Sequence, residues 1–142
     1  MSFTLHLLAW QEAEFLLREV REAVFMREQG VSAELEWDGL DEACHHVLAL
    51  SDGGQAIACG RITSDAHIGR IAVLKDWRNM KVGTAVLEAL LAYAKSQHYP
   101  EVDLDAQVQA LAFYQRLDFV EEGEVFMDAD IPHLKMRLAL LS

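Results

Sequence analysis

The sequence predicts an α/β domain: a mixed, mostly antiparallel sheet of six to seven strands flanked by helices, in the order β-α-β-β-β-α-β-α-β-β. Three observations predict it. The turn signal Asp52-Gly53-Gly54 separates two apolar stretches, which is an early hairpin. Apolar residues recur at helical spacing both before and after that hairpin. Strand and helix patterns then alternate, as in βαβ crossovers. No linker, repeat or low-complexity run interrupts the chain, so residues 1–142 read as one domain.

Residues 3–9 read as the first strand. A helix begins near Trp10, where Ala13, Leu16, Leu17, Val20 and Val24 make one apolar stripe and Gly30 supplies a C-terminal stop. Residues 32–43 are acidic and contain the turn signal Asp38-Gly39, which reads as a loop or short helix. Strands 45–51 and 55–64 form the hairpin, and 67–74 is a third strand beside them. A second long helix runs from about 83 to 98. Val82, Val86, Ala89, Leu90 and Tyr93 share one of its faces, and Pro100 blocks its continuation. A strand at 102–106, a helix at 108–117 and strands at 119–128 and 134–141 complete the order. The apolar last strand is compatible with a homodimer through a sheet edge, and equally with an internal position.

A formal charge of −11 argues against a nucleic-acid partner, since phosphate contact needs a basic surface. No apolar run approaches the ~20 residues of a membrane span. The start Met1-Ser2-Phe3-Thr4-Leu5-His6 lacks a basic, signal-like region, so a cytoplasmic location without membrane partners is expected. Cys44 and Cys59 lie among Val, Leu, Ile and Ala and read as buried free thiols. Cys44-His45-His46 invites a metal reading, but neighbouring residues of a strand point to opposite faces and chelate one ion poorly. No metal is expected. His6 and His98 read as surface or strand-end residues.

The acid is unevenly spread. Between Ile68 and Leu87 lie Arg70, Lys75, Asp76, Arg78 and Lys81, four bases against one acid, for a local net charge of +3. There an apolar strand ends, a basic turn follows and a helix begins at a glycine. The first N–H groups of a helix lack intrahelical partners, and with the helix dipole they make an anion site suited to a diphosphate. Gly83 would let the backbone approach without a Cβ in the way, and Arg78 and Lys81 would add charge-assisted bonds. The chain contains neither G-x-G-x-x-G nor G-x-x-x-x-G-K-S/T, so the dinucleotide and P-loop alternatives lose their support.

This stretch resembles the acyl-CoA loop of the GNAT superfamily of N-acetyltransferases, Q/R-x-x-G-x-G/A. Arg78 and Gly83 match its first and last positions, while Lys81 replaces the middle glycine. Phe113, Tyr114 and Phe119 similarly match the family's F/L-Y-x-x-x-G-F segment, with Asp118 in place of the glycine. Arg27-Glu28-Gln29-Gly30-Val31, the strand Ile68 to Val73, Ala106-Gln107 and Ile131-Pro132-His133-Leu134-Lys135-Met136 look like the small bacterial subfamily typified by ElaA and YjcF.

The resemblance implies a GNAT-like fold, acetyl-CoA as co-substrate and an amine acceptor. It places pantetheine against Ile71, Ala72 and Val73. Arg78, Lys81, Val82, Gly83 and Thr84 would hold the diphosphate, with Phe113 beside it. Tyr114 takes the position of the general acid, donating to the departing thiolate. The base stays open among Asp103 and Asp105, which share a strand face, and Glu28, Glu34, His67 and His133. Glu28, Gln107 and His133 are expected to line the acceptor pocket.

The acceptor is a small amine, an amino sugar, an aminoacyl compound or a protein lysine. The acidic residues Glu34, Glu36, Asp38, Asp41 and Glu42 lean toward a cationic one. Two rivals stand beside the enzyme: an acyl-CoA sensor or degenerate non-catalytic relative, favoured by Lys81 and Asp118, and an interaction protein pairing through residues 136–141.

Overall fold

One seven-stranded sheet in the order β1-β2-β3-β4-β5-β7-β6 organises the chain; the computed structural model describes residues 2–140. β1 (Phe3–Ala9), β2 (His45–Ser51), β3 (Ala56–Ile62) and β4 (His67–Val73) form an antiparallel run. β5 (Glu101–Gln107) joins β4 in parallel, and β7 (Ile131–Ala139) sits between β5 and β6 (Val120–Asp128), antiparallel to both. The β4–β5 junction is thus the one parallel pairing among the described residues, in agreement with the mixed, mostly antiparallel sheet that the patterning predicts.

Helices cover both faces. Leu17 and Val20 of α1 (Trp10–Arg21), with Val24 just beyond it, pack on Leu48, Cys59 and Ala72. Val86, Leu87, Leu90 and Ala94 of α3 (Val82–Ser96) pack on Val47, Ala49, Ala58 and Ile62 from the other side. Each such Leu or Val contributes about 1.5–3 kcal/mol by leaving water, so these stripes hold the helices far more than intrinsic propensity does. β3 lies under both layers and is buried at every position. Gly60 marks the closest approach of α3. A Cβ there would stand 2.9 Å from Leu90 Cδ1 and 3.0 Å from Val86 Cγ1.

Several boundaries differ from the sequence pattern. The first helix stays α-helical only to Arg21 and continues as a π-helical segment, Glu22–Glu28, before Gly30 ends it at φ +74. The acidic stretch contains a short helix α2 (Ala33–Glu36) and a single 3-10 turn (Asp41–Ala43). The expected helix 108–117 is a 3-10 turn (Val108–Ala110) followed by the five-residue α4 (Leu111–Gln115). The last strand begins at Ile131 rather than residue 134, because Ala129 and Asp130 both take positive φ and turn β6 directly into β7. Pro132 is tolerated there because the β5 ladder ends at Gln107↔His133, so on that side no hydrogen bond is broken. Leu141, the expected end of that strand, lies outside the described residues.

Candidate active site

β4 and β5 begin as a pair and then part. Their parallel register holds only at His67↔Asp103 and Ile68↔Leu104. From Gly69 onward the β5-facing edge of β4 has no ladder partner. The cause is local: Gly69 pairs with Arg61 and Ala72 with Cys59, so Arg70 and Ile71 together oppose Gly60 as a bulge, with Arg70 at φ +52. The bulge swings Ile71, Ala72 and Val73 away from β5 and opens a wedge between the strands. Ala72 turns its side chain toward α1, whereas Ile71 and Val73 pack on the α3 side.

The wedge leads to the first turn of α3. A 3-10 turn (Lys75–Trp77) carries the chain out of β4, and buried Trp77 anchors it. Ala85 is the first residue of the helix whose amide finds a helical acceptor, Lys81 O at 3.0 Å. The amides of Val82, Gly83 and Thr84 have no partner among the described residues, and no side chain caps the helix. Lys81 holds φ +63 and Asp118 holds φ +72. Both residues that replace a motif glycine therefore keep the left-handed backbone that glycine adopts most readily, and the loop geometry survives the replacements. A Cβ on Gly83 would sit 3.5 Å from Val73 Cγ2 and 3.7 Å from Phe113 Cζ, ordinary contact. The fold itself therefore leaves room for a methyl at Gly83. A small residue matters there only if something else approaches that turn.

Arg78, expected to face an anion, is bound within the protein. Its Nε donates to Val73 O at 2.9 Å, and its two terminal nitrogens grip Glu28 at 2.7 and 2.6 Å. The pairing with Arg78 holds the Glu28 carboxyl below its usual range. Glu28, expected in the acceptor pocket, instead ties the π-helical segment to the loop after β4.

On the other side of the wedge lies a cleft of ≈ 380 Å³, which brings together Ile71, Asp105, Gln107, Tyr114 and His133. Gln107 and His133, expected in the acceptor pocket, line this cleft together with Tyr114. Gln107 donates to Gln29 Oε1 at 2.9 Å, and His133 bonds Ile131 O at 2.7 Å and stacks on Phe126. Tyr114 packs edge-on to Phe113 and Phe119 at 5.0 and 5.8 Å. Its hydroxyl has no hydrogen-bond partner among the described residues. Burial pushes its pKa up to about 12, so the phenol carries its proton throughout the neutral range.

The roof of the cleft is an ionic network that sequence reading missed. Buried Arg21 donates to Glu36 at 2.7 Å and Asp41 at 2.6 Å. Arg61 donates to Asp41 at 2.9 Å and Asp38 at 2.5 Å. Arg70 reaches Glu36 at 3.1 Å and Asp38 at 3.3 Å. Three carboxylates thus meet three guanidiniums, so Glu36, Asp38 and Asp41 are compensated within the protein, while Glu34 and Glu42 stay exposed. An arginine at position 61, inside an otherwise small and apolar strand, was the signal available in the sequence. Gln29, within the stretch Arg27 to Val31 that the resemblance singles out, also lines the cleft; Phe25 lines it too and gave no signal, because the π-helical segment carrying it changes its facing.

His45 and His46 do point apart. His46 is buried, its Nε2–H donating to Asp41 O (3.0 Å) beside Trp10, while His45 is exposed and stacks on Tyr93. Cys44 and Cys59 are separate buried thiols, and burial raises Cys59 to about 12. Among the described residues no group of three or more His, Cys, Asp or Glu forms a metal site.

The geometry is shared with known proteins. A family model described as an acetyltransferase (GNAT) domain matches residues 13–140. The uncharacterized N-acetyltransferase YjcF of Bacillus subtilis (strain 168) is 38% identical over 121 residues, covering 82% of this chain and 86% of YjcF. Among solved structures, an acyl-CoA N-acyltransferase from Pseudomonas aeruginosa superposes with a TM-score of 0.81 at 32% identity, over 97% of this chain and 99% of that one. Escherichia coli ElaA superposes with a TM-score of 0.82 at 29% identity, over 96% and 99%.

Proposed function

The chain belongs to the acetyltransferase (GNAT) domain family, and we propose that it transfers an acetyl group from acetyl-CoA to a primary amine by direct attack, with Tyr114 as general acid. The observation that carries this reading is the parting of β4 from β5 after two paired positions, opening onto the unpartnered first-turn amides of α3. An extended chain ending in a diphosphate suits such a wedge, strand edges along its length and a helix N-terminus at its end. The residues fit the group. Val82, Gly83 and Thr84 would hold the diphosphate through main-chain N–H, helped by Lys81, and Ile71, Ala72 and Val73 would hold the pantetheine arm.

When bound, acetyl-CoA supplies a thioester whose sulfur leaves readily, a thiol having a pKa near 8.5. The protein's part is then position and proton handling. Ile71 and Tyr114 line both the wedge and the cleft, so that an amine in the cleft would meet the acyl carbon between them. Tyr114, protonated and without a protein partner, donates its proton to the sulfur as the C–S bond breaks. Lys81 and Asp118 keep the left-handed backbone of the glycines they replace, which supports the catalytic reading over a degenerate acyl-CoA sensor.

A screen of pooled amines with acetyl-CoA, read by thiol release, tests the proposal. Turnover of at least one pool is expected, and Tyr114→Phe should slow it. Tight acetyl-CoA binding without transfer to any amine would instead support the sensor, and no thermal shift with acetyl-CoA would refute both readings.

A further inference from the structure

Beyond naming the family, the cleft's own charges identify how an amine is received. Four carboxylates line the cleft. Asp128 is exposed at the end of β6, and Glu36 and Asp38 are taken by arginines. Asp105 is not. No lysine or arginine nitrogen lies within 4 Å of it among the described residues; its neighbour is His67, Nε2 to Oδ2 at 3.8 Å, and its Oδ1 is sealed from solvent without a hydrogen-bond partner. A sealed carboxylate oxygen without a donor is costly, so a donor that reaches it is favoured. The other ring nitrogen of His67, Nδ1, lies 2.7 Å from Asp103 Oδ1. Lys135 Nζ at 3.6 Å and Arg137 Nη1 at 3.9 Å face the second oxygen of Asp103. A carboxylate there accepts from Nδ1–H and turns the Nε2 edge of the ring toward Asp105. The 3.8 Å between Nε2 and Asp105 Oδ2 is too long for a direct hydrogen bond, and a donor set beside both would satisfy them together.

We infer that this donor is the ammonium group of the acceptor: Asp105 binds it, and His67, oriented by Asp103, is the base that removes its proton before attack. The inference rests on the acetyltransferase reading above and names its acceptor class, a primary alkylamine that arrives protonated. The chemistry balances. His67 Nε2 takes one proton from R–NH3⁺. The freed nitrogen lone pair forms the N–C bond as the C–S bond breaks, and the sulfur leaves as thiol with Tyr114's proton. Tyr114 is replenished by the second proton of the attacking nitrogen, and the proton on His67 passes to solvent through its exposed edge. Position supports the order of events, because Asp105 follows Leu104, the last β5 residue paired with β4. Asp105 thus stands where strand separation begins, and His67, in the first of the two pairs, at the closed end of the wedge.

The test compares matched primary alkylamines and anilines, beginning with benzylamine and aniline. The first are protonated at neutral pH, as lysine is with its pKa about 10.4; the second are already uncharged. The full chain and its variants are assayed by thiol release from acetyl-CoA, with the acetyl-CoA thermal shift as the control for folding. His67→Gln should lower kcat/KM for alkylamines about 100-fold and leave anilines within about threefold. Asp105→Asn should raise the alkylamine KM about tenfold with a smaller change in kcat. Equal losses on both amine classes, no loss on either, or transfer to anilines alone by the unaltered chain overturns this inference and spares the acetyltransferase reading. Transfer to neither class, with acetyl-CoA bound, overturns both.

Discussion

Replacing Gly83 by alanine separates what the fold needs from what the ligand needs. The added Cβ would meet Val73 Cγ2 at 3.5 Å and Phe113 Cζ at 3.7 Å, within ordinary contact distance and free of overpacking. Gly83 has no positive φ, so alanine adopts the same backbone and gains about 0.5–1 kcal/mol in the helix. For a chain of this length that raises Tm by about 2–4 °C. The ligand sees the opposite. A methyl in the first turn of α3 pushes a diphosphate off at least one of the free amides, and a hydrogen bond to a charged group contributes about 1.5–3 kcal/mol. Affinity for acetyl-CoA should fall about tenfold to a hundredfold. Scanning fluorimetry of the free protein and calorimetric titration with acetyl-CoA read the two effects separately. A variant that is more stable and binds more weakly is the expected result. Unchanged affinity would refute the assignment of this turn as the diphosphate site, and lowered stability would refute the packing argument.

Other perturbations follow from the same structure. Tyr114→Phe should reduce kcat about 100-fold with little change in acetyl-CoA affinity. Because burial raises this phenol to about 12, its loss of a proton should not limit kcat below pH 10; an alkaline fall near neutrality that disappears in Tyr114→Phe would contradict this. Glu28→Gln frees Arg78 from its two ion-pair bonds and removes a negative charge near the anion site. Acetyl-CoA should then bind a few-fold tighter at low salt, by roughly the 0.2–1 kcal/mol of an exposed pair, and weaker binding would show that Glu28 is needed to aim Arg78. Arg61→Met leaves Asp38 and Asp41 without a shared partner under the α2 loop. Urea denaturation should show a loss of about 3–5 kcal/mol, and a loss below 1 kcal/mol would contradict the network's structural role. Burial alone would raise the Asp38 carboxyl, but Arg61 and the Leu40 amide outweigh it and hold it at about 2. Its folded pKa is thus depressed, so its contribution is complete above about pH 4 and is lost as pH falls through 2; acid titration of stability in the unaltered chain and in Asp38→Asn checks this.

Strand and helix periodicity carried most of the fold. The hairpin at Asp52-Gly53-Gly54, the Leu17 and Val20 stripe and the Val86 and Leu90 stripe all pack as their spacing implies. The loop before α3 was legible because its chemistry is local: a strand, a basic turn and a glycine in eleven residues of sequence, Val73 to Gly83. What escaped is what depends on distant partners. Arg78 meets Glu28 fifty positions away, and Arg61 meets Asp38, in the loop after α2, at a separation of 23 positions. No spacing rule brings such pairs together. The π-helical register of residues 22–28 was equally hidden, since its extra residue per turn leaves no trace in an apolar stripe that ends at Val24. The base was recoverable only as a set of candidates. Asp103 and Asp105 share a face by alternation, but that His67 bridges them follows from the two-position parallel register of β4 and β5.

The central claim is that the first-turn amides of α3 receive the diphosphate of acetyl-CoA. Amide chemical shifts of the isotopically labelled chain, followed as acetyl-CoA is added, test it most directly. The account predicts that the largest movements fall on Val82, Gly83 and Thr84, with smaller ones along Ile71 to Val73, and that they saturate together. Saturable binding that leaves these three amides still while others move would contradict it.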